Sequence, residues 1–175
     1  MTLKGSIQFM TAGKGVYHKE MNHHKKKRCR FLQTWIYPNR KNLNVEYGSH
    51  RFTEKERRNT LLHAISGEVE SAKGHFVGNG KEAAPIRLHQ DVNVFVSELD
   101  YGQRVRFEVK EGRQLYMVCP EGTARINGTV QLETRAALRL YGPTMLDIVA
   151  TYKVPKNESG PSAHLFMIEM ESERK

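Results

Sequence analysis

His18, Lys19 and Glu20 set an imidazole and a carboxylate two residues apart. On an extended chain, positions i and i+2 face the same side, so the two donors would point together. A mixed nitrogen and oxygen pair suits a borderline divalent metal such as Fe(II), Mn, Ni or Zn. The preceding stretch, Thr11-Ala12-Gly13-Lys14-Gly15-Val16-Tyr17, offers two glycines for a tight turn and then a strand. The spacing describes equally well a surface histidine and glutamate on an edge strand. Two donors also leave a site open, because a catalytic metal takes roughly three or four protein ligands.

His23-His24-Lys25-Lys26-Lys27-Arg28, followed by Arg30, is the second constellation. A run of this kind reads as a phosphate contact, a nuclear-import patch or a solvated loop between strands. No aromatic residue interleaves with the lysines, so bases have no stacking platform and nucleic acid is not expected as a partner. A basic protein contacting acidic partners, or less readily nucleic acid, through Lys25 to Arg30 stays open as an alternative. The other histidines, His50, His63, His75, His89 and His164, form neither H-x-H nor H-x3-H spacing. His89-Gln90-Asp91 repeats the i, i+2 geometry at the head of a strand, where a polar strand-end pair is the simpler reading. There is no Gly-rich phosphate loop, nucleophile elbow or CxxC.

The elements that must position these residues are strands. Val92 to Ser97 reads as one; Val105, Phe107 and Val109 alternate with Arg104, Arg106 and Glu108 in another. Gln114 to Cys119, Leu138 to Leu140, Met145 to Thr151 and Leu165 to Met170 continue the series. Asn127-Gly128 predicts a two-residue hairpin turn, because both positions need positive φ. Turn signals recur about every 8–12 residues from Asp100 onward, as in a sandwich or barrel. Helix is scarce: Thr53-Glu54-Lys55-Glu56 fits a capping box for one short turn. Lys153 to Ser162, with two prolines and a glycine, predicts a surface loop.

The chain has 175 residues, 38% hydrophobic and 27% charged, which suits one domain or one domain with a fragment of another. Its 28 basic and 19 acidic residues give a net charge of +9, favouring acidic partners without specifying them. No apolar run approaches the roughly 18–20 residues of a membrane span, and the first residues lack a signal-peptide core. The expected location is the cytoplasm, with no membrane partner. Cys29 and Cys119 are expected to be free thiols. A composition shift near residues 48–59 predicts a boundary, giving units 1–47 and 48–175.

Gly5-Ser6-Ile7-Gln8-Phe9-Met10-Thr11-Ala12-Gly13-Lys14-Gly15-Val16-Tyr17-His18-Lys19-Glu20 resembles a signature of the pirin family, two-barrel cupins related to quercetin 2,3-dioxygenase. Leu32 to Pro38, expected as the next strand, Ile86 to Val92, and Arg125-Ile126-Asn127-Gly128 extend the resemblance, which is strongest over 5–38. It implies an all-β fold, a cupin double-stranded β-helix of the jelly-roll kind. Residues 48–175 would form the second barrel, and 1–47 the last strands of the first. In the family the first barrel binds a metal, commonly iron, through three histidines and one glutamate. His18 and Glu20 match the last histidine and the glutamate; the other two histidines come from an earlier H-x-H that this chain does not contain. Family members are quercetin-oxidising enzymes, and some eukaryotic ones are nuclear cofactors of transcription. The resemblance therefore implies iron or another divalent metal held by His18 and Glu20, with Glu20 as ligand or base and a flavonol-like ligand. The incomplete ligand set points instead to a non-enzymatic or metal-impaired binding module. Strands left without partners would invite association, so residues 1–47 are expected to pack on the second barrel or in a homodimer.

Overall fold

The computed structural model describes residues 4–67 and 84–173. Within them, twelve strands and one helical turn are formed. β1 (Ser6–Thr11) pairs antiparallel with β2 (Glu46–Arg51) as a separate two-stranded sheet. After β2 comes α1 (Glu54–Arg57), whose capping box is complete. Thr53 N donates to Glu56 Oε2 at 2.7 Å, and Glu56 N donates to Thr53 Oγ1 at 3.4 Å.

The remaining strands are β3 (Leu62–Gly67), β4 (Ile86–Leu88), β5 (Val92–Leu99), β6 (Arg104–Val109), β7 (Arg113–Gly122), β8 (Ala124–Ile126), β9 (Val130–Leu132), β10 (Ala137–Tyr141), β11 (Thr144–Ala150) and β12 (Ala163–Glu171). One sheet runs β10-β7-β12-β5-β3-β4 and the other β6-β11-β8-β9. All ladders are antiparallel except β3 with β4. This is the jelly-roll architecture expected from the sequence.

The two sheets close over one apolar core. On β6 the alternation is realised, with Val105, Phe107 and Val109 buried and Arg104, Arg106 and Glu108 exposed. Opposite them lie Phe95 and Leu99 of β5, Leu115 and Met117 of β7, and Leu165 and Met167 of β12. Phe95 and Phe107 meet across the sheets edge to face, with ring centroids 5.0 Å apart. Each such buried side chain contributes about 1.5–3 kcal/mol relative to exposure. A second cluster forms around Phe52, Ala64, Ile65, Ile86, Val92, Val94 and Ile168, and Ile7, Phe9 and Ile36 pack onto it. Part of segment 1–47 therefore rests on the main sheet, while β2 runs across residues 47 and 48.

The Asn127-Gly128 turn forms with φ of 48° and 72°. Ile126 pairs with Val130, so Thr129 joins the loop, which has three residues rather than two. Asn127 also ties this hairpin to β11: Asp147 N donates to its Oδ1 at 2.7 Å.

Two expected strands are not formed. Val16 to Glu20 and Leu32 to Pro38 lie in a long irregular stretch between β1 and β2. A strand exists only when a neighbour completes its ladder, and β1 takes β2 as its partner. Nothing else among the described residues pairs with these segments.

Candidate functional site

His18, Lys19 and Glu20 lie on this irregular backbone and are exposed. The periodic argument that aimed both donors to one side required a strand, and there is none. Among the described residues no three His, Cys, Asp or Glu side chains gather as metal donors. His18 and Glu20 thus do not by themselves fit a metal. His75 lies outside the described residues.

The stretch that carries His18 returns to the body of the protein further on. Gln90 Nε2 donates to Tyr37 O at 2.7 Å, and Asn39 N donates to His89 O at 2.7 Å. Arg40 Nη2 lies 2.9 Å from His89 Nδ1, and His89 Nε2 lies 3.6 Å from Glu46 Oε2. Earlier in the stretch, Arg30 pairs with Glu121 at 3.1 Å. His89-Gln90-Asp91 is therefore an anchor. His89 and Gln90 hold the segment before β2, while Asp91 turns toward Arg113.

The basic run has a turn of its own. Asn22 Nδ2 donates to Lys27 O at 2.7 Å, and His24 N donates to Asn22 Oδ1 at 3.0 Å. The His24 Nδ1 atom accepts from Lys26 N and Lys27 N at 3.2 and 3.0 Å. Lys25, Lys26, Lys27 and Arg28 project from it into solvent.

The most concentrated buried polarity lies elsewhere, at one end of the core face of the larger sheet. Arg113 is 5% exposed, Glu169 2%, Asn93 1% and His63 9%. Arg113 donates to Glu169 through Nε and through Nη2, the latter at 2.9 Å, and through Nη1 to Asp91 Oδ2 at 2.6 Å. Asn93 Nδ2 donates to Glu169 Oε2 at 2.8 Å, and the Asn93 Oδ1 atom lies 3.0 Å from His63 Nε2. His63 stacks on Phe95, with ring centroids 4.6 Å apart. Burial disfavours the Arg113 cation, but Glu169 and Asp91 outweigh that and raise its pKa. Burial lowers the His63 pKa, with Asn93, the Ile65 backbone and Glu169 acting the other way. The network seals this end of the core with charges that are already paired.

Sequence reasoning missed this cluster, although a signal was present. Asn93 interrupts Val92-Val94-Phe95 and Glu169 interrupts Ile168-Met170 at the parity that faces the core. A polar side chain in that position must find a partner.

A second buried pair sits on the opposite face. Arg57 Nε donates to Glu98 Oε1 at 3.0 Å and its Nη1 to Phe52 O at 2.9 Å; Lys4 reaches Glu98 at 3.4 Å. Burial works against the Glu98 carboxylate, yet Arg57 and Lys4 hold its pKa below the usual value.

Two family models match the chain. One, described as Pirin, matches residues 1–36; the other, the quercetinase C-terminal cupin domain, matches residues 75–155. The chain is 28% identical over 149 residues to a putative quercetin 2,3-dioxygenase of Pseudomonas aeruginosa, covering 85% of this chain and 59% of that protein. It is 31% identical over 133 residues to a putative quercetin 2,3-dioxygenase of Zymomonas mobilis, covering 76% and 52%. It thus spans between half and three fifths of the length of these curated relatives. A solved structure of a bacterial pirin from Escherichia coli in complex with nickel(II) superposes with a TM-score of 0.72 at 20% identity, over 95% of this chain and 62% of that one. That likeness is one of fold.

Proposed function

The chain belongs to the pirin family, and from that premise we propose that it serves as a cupin binding module for a flavonol-like small molecule, non-enzymatic or metal-impaired in the form given by this chain. The observation that carries this reading is the state of His18 and Glu20. Both are exposed on irregular backbone, and no third donor joins them among the described residues. A divalent metal held by one imidazole and one exposed carboxylate is bound weakly, because water competes for every remaining position. The division into 1–47 and 48–175 belongs to the same proposal. It is supported by the gap between the two family matches, which runs from residue 37 to residue 74.

A metal-dependent quercetin 2,3-dioxygenase is the second reading, favoured by the names of the relatives and by the nickel complex of a structural neighbour. In it, His18 and Glu20 complete a ligand set with donors from a second copy of this chain, His23 and His24 among them, and Glu20 is the carboxylate beside the substrate. The experiment is elemental analysis of the purified chain after incubation with Fe(II) or Ni(II) and desalting, beside oxygen uptake with quercetin. Substoichiometric metal and no oxygen uptake, with quercetin binding retained, support the first reading. Stoichiometric metal and oxygen uptake, both lost in His18→Ala, overturn it in favour of the second.

A further inference from the structure

Three titratable side chains line up across the outer face of the larger sheet. His164 of β12 pairs with Glu98 of β5 on one side and with Glu121 of β7 on the other. The second pairing depends on a bulge: two steps along β12, from His164 to Phe166, face three along β7, from Glu121 to Val118. The extra residue turns Glu121 to the face that carries His164. Directly opposed side chains stand about 5 Å apart at Cβ. Both carboxylates are engaged. Arg57 Nε donates to Glu98 Oε1 at 3.0 Å, and Lys4 Nζ lies 3.4 Å from the same oxygen. Arg30 Nη2 lies 3.1 Å from Glu121 Oε1. Lys4 and Arg30 belong to residues 1–47, so the row ties that segment ionically to the sheet at two points.

The imidazole in the middle of the row is the group that changes charge near neutral pH. His164 is partly buried, and burial holds its pKa below the ordinary value. Glu98 and Glu121 act the other way, while Lys4 and Arg57 act with burial. At neutral pH the ring is therefore uncharged, and three cations share two carboxylates. A proton on His164 sets a fourth cation between them. Arg57 is buried and also donates to Phe52 O at 2.9 Å, so it stays. Lys4 and Arg30 have side chains 59% and 67% exposed, and water takes them back at little cost. We propose that Glu98, His164 and Glu121 form an acid-released latch: the neutral row holds Lys4 and Arg30, and protonation of His164 turns both carboxylates toward the imidazolium and frees the two side chains. Lys4 seated on Glu98 lowers the proton affinity of His164, so by linkage a proton on His164 weakens that seat. The latch is complete above about pH 6.5, the ordinary imidazole value, and weakens as pH falls below it. Ile7, Phe9 and Ile36 keep their apolar contacts, so the stretch around Arg30 loosens rather than the whole segment. This inference does not depend on any metal or flavonol.

Cys29 is exposed and Cys119 buried, so a thiol-specific nitroxide marks the residue beside Arg30. At neutral pH it should broaden the backbone amide signals of Glu121 and Gly122. The titration runs from about pH 7.5 to about pH 5, which spans ordinary imidazole titration and stays above that of ordinary carboxylates. Across it the broadening should weaken about two- to fivefold, the loss expected for an exposed ion pair. His164→Gln should keep the broadening throughout. In the double variant Lys4→Met, Arg30→Met, whose changes lie on exposed side chains, the titration of the His164 ring proton should move to higher pH. His89→Gln alters the separate anchor at Arg40 and Glu46 and should leave the response as it is. Broadening that is absent at neutral pH, constant across the range or equally weakened in His164→Gln overturns the proposal. So does a His164 titration unmoved in the double variant, or a response that disappears in His89→Gln. Loss of the dispersed β5 and β12 signals at the same pH also overturns it, because that marks general acid unfolding.

Discussion

Arg113 grips Glu169 with two of its nitrogens, one of them 2.9 Å from Oε2, at the end of a core that is otherwise apolar. Both side chains are almost wholly buried. Taking one charge away leaves the other in low dielectric without a partner. Such a change costs about 3–5 kcal/mol, whereas exchanging both for apolar groups is often neutral or stabilising. Arg113→Met and Glu169→Leu should each lower the urea midpoint sharply, and the double variant should recover much of the loss. Residual destabilisation in the double variant should trace to Asp91 and Asn93, which both lose a partner.

His63 makes the same network sensitive to acid. Burial holds its pKa below the ordinary value of 6.5, so the folded protein keeps the ring neutral after the unfolded chain has taken a proton. The unfolded state then binds more protons, and stability falls as pH drops through about 6.5. His164, also lowered chiefly by burial, acts in the same direction. The urea midpoint should therefore decline between neutral pH and mildly acidic pH. His63→Gln should decline less steeply, because one of the two histidines is gone. A parallel decline in the variant would assign the effect elsewhere.

The strands around these groups were readable from sequence where one face is buried. The alternation over Arg104 to Val109 survives intact in β6, and Asn127-Gly128 forms its turn because both residues accept positive φ. Period two reports which face is apolar, however, and says nothing about whether a neighbour exists. That is why Leu32 to Pro38 reads as a strand yet has no ladder among the described residues, and why the i, i+2 argument for His18 and Glu20 lapses. The Arg113 network was illegible for a different reason: its members come from β3, β5, β7, β12 and the turn before β5, and only the fold brings them together. The family signature around Gly5 to Glu20 could be recognised because it is contiguous.

The two thiols should separate cleanly by reactivity. Cys29 is exposed, whereas Cys119 is buried on the core face of β7. Burial pushes the Cys119 thiol up to about 11, although backbone groups around His164 and Glu121 act the other way. The thiolate is the nucleophile, so Cys119 is both inaccessible and unreactive at neutral pH. One equivalent of a disulfide reagent should be consumed quickly and the second only on unfolding. Fast reaction of two equivalents in the native protein would show that β7 opens more readily than its packing implies.

Gln90 ties the irregular stretch to the sheet from both ends of its amide. Nε2 donates to Tyr37 O at 2.7 Å, while Oε1 accepts from Asp91 N at 2.8 Å. Asp91 in turn receives Arg113, so the anchor is continuous with the buried network. Gln90→Ala removes a hydrogen bond worth about 0.5–1.5 kcal/mol net, a small loss to the core. Its effect on residues 31–45 should be larger in proportion, since few other contacts hold them. Amide exchange there should quicken, and trypsin should cleave faster at Lys25 to Arg30. Exchange in β5, β7 and β12 should stay close to that of the unaltered chain. If acceleration spread to those strands, Gln90 would be supporting Asp91 and the Arg113 network rather than holding the segment alone.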